Sequence, residues 1–155
     1  MKYALTFVLL FSFVFAQDNL IIDANNFEAD DQKGIAIFTG NVKVTKIKDK
    51  LNSDKLVVEM TTNSQNEKTP KKYTATGNVD FTVYSQEKIY LGKGTKVIYE
   101  PLQNKYTILG NGYLEEQIDG RILYGEEIYL DEITGSAQVV GNETKPVRFI
   151  MKIQE

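Results

Sequence analysis

The sequence predicts an all-β protein built from four stacked repeats, and three observations carry that reading. A Gly-Asn motif recurs, each time behind a second short motif at a near-constant distance. Residues around these glycines alternate apolar and polar, cleanly in the first two units and less so in the third and fourth, where Leu109, Tyr113 and Val140 fall on the polar side. No window shows the i, i+3, i+4, i+7 apolar stripe of an amphipathic helix, while Val, Ile, Tyr, Phe and Thr abound between closely spaced turn residues.

The Gly-Asn motifs are Thr39-Gly40-Asn41-Val42, Thr76-Gly77-Asn78-Val79, Leu109-Gly110-Asn111-Gly112 and Val140-Gly141-Asn142. Each follows a small residue, two variable residues and an apolar one: Ala24-Asn25-Asn26-Phe27, Ser53-Asp54-Lys55-Leu56, Gly94-Thr95-Lys96-Val97 and Gly125-Glu126-Glu127-Ile128. From the small residue to the Gly is 16 positions in the first, third and fourth units and 24 in the second. The excess falls in Thr62 to Pro70, a polar stretch that reads as a loop insertion. A repeat of roughly 30 residues indicates stacked units sharing one core.

The chain begins with Lys2, an apolar run from Ala4 to Phe15 and the small-x-Ala sequence Val14-Phe15-Ala16. This has the form of a secretory signal over residues 1–16, shorter than the roughly 20 apolar residues of a spanning anchor. One domain, residues 17–155, is expected to follow. An uncleaved N-terminal anchor is the alternative.

Within the domain, alternate residues about each Gly form one apolar set: Ala36, Phe38, Val42 and Val44; Tyr73, Ala75, Val79, Phe81 and Val83; Tyr106, Ile108 and Leu114; Ala137 and Val139. Side chains alternate faces along a strand, so these rows line one face, and the Gly on that face leaves room or permits a bend. In the second motif Phe27/Ala29, Leu56/Val58/Met60, Val97/Tyr99 and Ile128/Leu130 share a face, with the small residue on the opposite parity. That slip implies a bulge or corner. Each unit reads as strand, corner, strand, turn, strand, and the stack as two facing sheets joined along bends. Asn41, Asn78, Asn111 and Asn142 have two readings, a local bend-forming role and a stacked amide ladder. The runs Leu20-Ile21-Ile22 and Val147 to Ile153 are candidate edge strands. Edges that pair with a like edge build an open filament.

The composition restricts the chemistry. The chain has no Cys and no His, so disulfides, thiol catalysis and imidazole metal sites are excluded. A net charge of −3 argues against a dedicated nucleic-acid partner. The lysines at 43, 46, 48, 50 and 55 form a local cluster, either a solvated strand face or an attraction for anionic headgroups. The carboxylate pairs Asp30/Asp31, Glu115/Glu116, Glu126/Glu127 and Asp131/Glu132 are sequence neighbours. On strands such neighbours point apart, so they read as exposed charge rather than acid/base pairs. Asp30/Asp31 lacks calcium-loop spacing, and Gly92-Lys93-Gly94-Thr95 lacks the context of a phosphate loop. The tyrosines are expected to pack and line edges. No catalytic residue, metal ligand or cofactor is expected.

A signal-like segment, then Ile22-Asp23-Ala24-Asn25-Asn26-Phe27, Phe38-Thr39-Gly40-Asn41-Val42-Lys43-Val44 and Leu51-Asn52-Ser53-Asp54-Lys55-Leu56-Val57, resembles the OstA-like repeat of the LptA family. The resemblance spans nearly all of residues 17–155. It implies an open, V-shaped antiparallel β-jellyroll in the periplasm, with the acyl chains of lipopolysaccharide or lipooligosaccharide held inside. It also implies head-to-tail self-association and jellyroll partners, LptC-like at the inner membrane and LptD-like at the outer membrane, forming a bridge for export. Under that reading the inward rows supply the channel lining: Phe38, Val42, Val44, Ala75, Val79, Phe81, Ile108, Leu114 and Val139. Three other readings of the chain are an LptC-like anchored member, a structural β-repeat protein with a closed core and a carbohydrate-active enzyme on a β-solenoid. The last requires a cleft of inward carboxylates, which the parity of the strands does not provide.

Overall fold

The computed structural model describes residues 18–154, which contain no helix. The segment read as a signal peptide lies outside the described residues. Ten strands form a single antiparallel sheet: β1 (Leu20–Asp23), β2 (Asn26–Asp30), β3 (Ile35–Lys46), β4 (Asp49–Thr62), β5 (Lys68–Ser85), β6 (Lys88–Glu100), β7 (Lys105–Glu116), β8 (Arg121–Asp131), β9 (Ala137–Val140) and β10 (Arg148–Ile150). From β3 to β8 each strand pairs with the next. β1 and β2 both pair with β3, and β9 and β10 both pair with β8, so each duo acts as one interrupted strand. The meander is open, with an edge at β1/β2 and another at β9/β10.

The sheet is bent because β3, β5 and β7 each carry one residue more than either neighbour at the same level. On β3, Gly40 and Asn41 lie between the pairs Thr39↔Lys55 and Val42↔Ser53, opposite the single residue Asp54. The same shift separates Thr76 from Val79 and Leu109 from Gly112. Each extra residue is accommodated in left-handed backbone, with φ 84°, 85° and 78° at Gly40, Gly77 and Gly110 and 45°, 46° and 51° at Asn41, Asn78 and Asn111. Glycine adopts this region freely and asparagine tolerates it, which is why these two residue types recur. The three bulges sit on alternate strands at one level of the meander, so their bends add into one fold line.

The glycines also lack a side chain for want of space, although the obstruction is not the opposite wall. A Cβ on Gly40 would meet the Asn25 amide at 2.7 Å, and one on Gly110 would meet the Thr95 hydroxyl. One on Gly77 would strike the Asp54 side chain. These obstructing residues follow the small residue of the second motif on the adjacent strand. They hold the bend: the Asn25 backbone N–H donates to the Gly40 carbonyl at 2.9 Å, the Asn78 side chain to Asp54 at 3.0 Å and the Thr95 hydroxyl to the Gly110 carbonyl at 3.3 Å. Local bonding therefore accounts for Asn78, and no amide ladder links the four asparagines among the described residues.

The fourth Gly-Asn differs. Gly141 and Asn142 do not have positive φ. The chain instead leaves the sheet after β9 and returns as β10, the register on β8 passing from Glu127↔Val140 to Tyr124↔Arg148. Asn142 Oδ1 closes this loop by accepting from the amides of Thr144 (3.0 Å) and Lys145 (2.7 Å). The insertion in the second unit is also reassigned. Its two ends lengthen the β4–β5 hairpin, with Thr62↔Lys68, Thr61↔Thr69 and Met60↔Pro70 paired. Only residues 63–67 turn, around Asn63 Oδ1 accepting from Gln65 and Glu67. Pro70 is tolerated because the register shifts beside it. Of the C-terminal run, residues 148–150 form a strand and 151–154 do not.

Bending puts the two halves of the sheet face to face. Val42, Leu56, Ala75, Val79, Val97, Ile108 and Ile128 are all buried at or beside the fold line. Replacing Gly77 with Ala should cost about 3 kcal/mol, combining left-handed strain with displacement of Asp54. Gly135→Ala is the control, since Gly135 has φ 69° and nothing within 4 Å of a Cβ; it should cost about 1 kcal/mol. Urea titration of both variants measures the difference, and equal losses would show that crowding at the bend is unimportant.

Candidate functional site

The two halves do not close on each other along their whole length. A cavity of ≈240 Å³ is lined by β1, β3 to β7 and Pro101, from Leu20 and Val44 to Tyr106. A second, of ≈290 Å³, lies at the other side of the molecule between Tyr90, Leu114, Leu123, Leu130, Val139 and Phe149. A third, of ≈50 Å³, sits between them and shares Phe81, Val83 and Tyr106 with the first and Tyr90, Leu130 and Gly135 with the second. The three share walls and together form a largely apolar groove across the strands, from Leu20 on β1 to Phe149 on β10. Eight strand rows at about 4.8 Å spacing give it a length of about 34 Å.

An aromatic row forms one wall. Tyr73 stacks on Tyr99 at 5.9 Å between centroids, Tyr99 on Tyr106 at 4.3 Å and Tyr106 on Phe81 at 6.0 Å. The first three belong to one half of the sheet and Phe81 to the other, so the last stack crosses the groove. It borders the smallest of the three cavities. Phe81 occupies its position because its cross-strand partner is Gly92, whose missing Cβ would lie inside the Phe81 ring. Burial pushes the Tyr106 hydroxyl well above its ordinary value, helped by Tyr99, Glu132 and Asp49. Burial raises Tyr73 and Tyr99 as well. The first cavity therefore favours the neutral form of these three tyrosines.

Charge is placed at the rim. Lys46 and Lys50, both exposed, stand at the mouth of the first cavity with Asp49. At the second cavity Glu116 is only 5% exposed, which corrects the expectation that the carboxylate pairs are solvated. Its oxygens accept from the amides of Ile118 (2.8 Å) and Asp119 (2.9 Å) and face Arg121 at 3.7 Å. Those amides belong to the β7–β8 turn, so the buried charge is fully partnered. Asp30 likewise accepts from the Lys33 amide at 3.0 Å within its turn.

Of the nine residues assigned to the lining, Val44, Ala75 and Phe81 border the first cavity, and Leu114 and Val139 the second. Val42, Val79 and Ile108 lie deeper, in the packed core at the fold line, and Phe38 packs against that core without bordering a cavity. Sequence reasoning passed over Leu51, Leu56, Val97 and Tyr99 at the first cavity and Tyr90, Leu123 and Leu130 at the second. Several were legible from the second motif, which places Leu56, Val97, Tyr99 and Leu130 on the inner face.

Residues 21–136 match the family described as LptA/(LptD N-terminal domain) LPS transport protein. Comparison with curated proteins finds no match. Among solved structures, the chain is similar to LptH from Pseudomonas aeruginosa, described as the LptA homologous periplasmic component of the conserved lipopolysaccharide transport device. The TM-score is 0.74 at 17% identity, over 87% of this chain and 96% of that one. That likeness supports the shared fold, an open antiparallel β-jellyroll.

The neutral tyrosines give the fold an alkaline limit. A tyrosine whose pKa is raised on folding contributes stability that is intact below its unfolded value near 10 and is lost as pH rises above it. Stability should fall above about pH 10, and Tyr106→Phe should reduce that fall at some cost near neutrality. Urea midpoints across this range report both effects. An unchanged alkaline loss in the variant would show that Tyr106 does not set it.

Proposed function

The chain belongs to the LptA/LptD N-terminal domain family of lipopolysaccharide transport proteins, and we propose that it carries lipopolysaccharide or lipooligosaccharide across the periplasm with the acyl chains inside its groove. The observation that supports this is the row of three cavities with shared walls, which together run from one open sheet edge to the other. Acyl chains entering such a trough gain about 0.8 kcal/mol per methylene removed from water, so several chains bind firmly without a specific polar contact. The phosphates and sugars remain at the rim, where Lys46 and Lys50 offer positive charge.

The acyl chains lie across the strands and part the two halves at the Phe81–Tyr106 stack. Residues 1–16 direct export, and residues 17–155 act as one periplasmic domain. The β1/β2 and β9/β10 edges receive further copies head to tail, an LptC-like partner at the inner membrane and an LptD-like partner at the outer membrane, completing the bridge. The protein acts as a carrier rather than an enzyme, and release is driven by a partner or by lipid arriving behind.

Photocrosslinking tests the reading. A photoreactive residue at Val44, Phe81 or Val139 should give lipopolysaccharide adducts in cells, while one at Lys43, exposed on the outer face beside Val44, should give none. Folded protein without adducts at any of the three groove positions would favour a closed structural core instead.

A further inference from the structure

The β3–β4 hairpin breaks a backbone rule. It turns in two residues, Ile47 and Lys48, between the paired Lys46 and Asp49. Ile47 has φ 56° and is 67% exposed. The first position of such a turn calls for Gly, Asn or Asp. At every other non-glycine position with positive φ among the described residues stands Asn, Gln or Glu. Ile47 is the one β-branched residue in the set, and its branched Cβ makes it a genuine outlier. Here an isoleucine is held in strained backbone with its side chain in water. Neither the groove nor the core uses it.

Its surroundings show what the tip fits. Lys46, Lys48 and Lys50 flank it, against one carboxylate on the turn, Asp49. Asp49 is engaged by the backbone amide of Tyr84 at 2.9 Å, and the Lys48 ammonium lies 5.8 Å from the Tyr84 ring. Tyr84 itself is half exposed, as is Leu20, the pairing partner of Lys46. The result is a braced tip with an aliphatic point, an aromatic shoulder and three flanking lysines. The other tips with exposed aliphatics carry different charge: Ile133 follows Asp131 and Glu132, Ile118 stands between Glu116 and Asp119, and Leu102 lies between Glu100 and Lys105.

We propose that the Ile47 hairpin is a membrane-docking tip that inserts its side chain into the interface of an anionic phospholipid bilayer, with Lys46, Lys48 and Lys50 on the headgroups. An apolar residue at the acyl boundary, an amphipathic tyrosine at headgroup level and lysines on the lipid phosphates are the components of interfacial binding. Lys46 and Lys50 also stand at the mouth of the first cavity, so docking would bring the groove opening to the bilayer surface. The tip's affinity for phospholipid does not depend on what the groove carries.

The test is co-sedimentation of the exported protein with vesicles of phosphatidylcholine alone and of phosphatidylcholine mixed with phosphatidylglycerol. The expected result is salt-sensitive binding to the mixed vesicles only. Ile47→Asn should weaken it about tenfold while leaving the melting temperature equal or higher, because asparagine accepts the left-handed backbone. Changing Lys46 and Lys48 to Gln should weaken it roughly fivefold per lysine. Ile133→Asn, on the acidic tip, should bind like the unaltered protein. Equal binding to both vesicle types, or undiminished binding by Ile47→Asn, would overturn the proposal. These vesicles contain no lipopolysaccharide, so either outcome leaves the crosslinking at Phe81 as a separate question.

Discussion

The structure depends on one surplus residue, inserted at the same level into every second strand. A flat antiparallel meander with these alternating sequences would have one apolar face and nothing to cover it. The Gly-Asn bulges at residues 40–41, 77–78 and 110–111 let the sheet cover itself. Each places two residues where both neighbours have one fewer, and left-handed backbone absorbs the difference. On those strands the inner parity runs through the glycine unbroken, as in Phe38, Gly40 and Val42. On the neighbours it slips by one at Ser53, Gly94 and Gly125. The two halves of the apolar face thereby turn toward each other.

Side-chain size then sets the angle between the halves. Near the fold line the inner face is made of small residues, including Ser53, Ala75, Gly94, Gly112 and Gly125. Space there is already filled by neighbours: a Cβ on Gly94 would meet Ile108 and one on Gly112 would meet Ile128. One step toward the mouth the residues become large, with Tyr73 beyond Ala75, Tyr99 beyond Val97 and Tyr106 beyond Ile108. A wedge results, tight at the bend and held apart at the rim by aromatic rings. Interiors normally pack without voids of this size. The cavities persist because the tyrosines keep the walls separated where no residue is long enough to fill the gap.

Much of this was legible because the bends are specified by residue type. Positive φ calls for Gly or Asn, so a local requirement repeated at fixed spacing announces the fold line before any contact is known. Alternation likewise placed Phe81, Ala75 and Val139 on the inner face. Alternation could not separate the packed core at Val42, Val79 and Ile108 from the groove wall at Val44 and Leu114, because both present the same pattern. Glu116 was misread because parity reports a face and not the turn amides waiting there. The fourth Gly-Asn was counted as a bend although Asn142-Glu143-Thr144-Lys145-Pro146 already holds the signals of a longer turn. Phe81 could not be placed against Gly92 without the strand register.

Groove and sheet edges are not independent features. The groove runs perpendicular to the strands, so it ends where the sheet ends, at Leu20 on one edge and Phe149 on the other. Those rows also carry the unpaired backbone groups of the meander. A strand added at either edge would satisfy that backbone and extend the groove by the same increment, about 4.8 Å. An added jellyroll with its own inner face would extend it by a whole molecule. The exposed apolar side chains at the two edges, Leu20 and Ile21 on β1 and Phe149 and Ile150 on β10, fit this arrangement. They continue the inner and outer faces of the sheet toward a neighbour, so that pairing would bury them and lengthen the trough in one step.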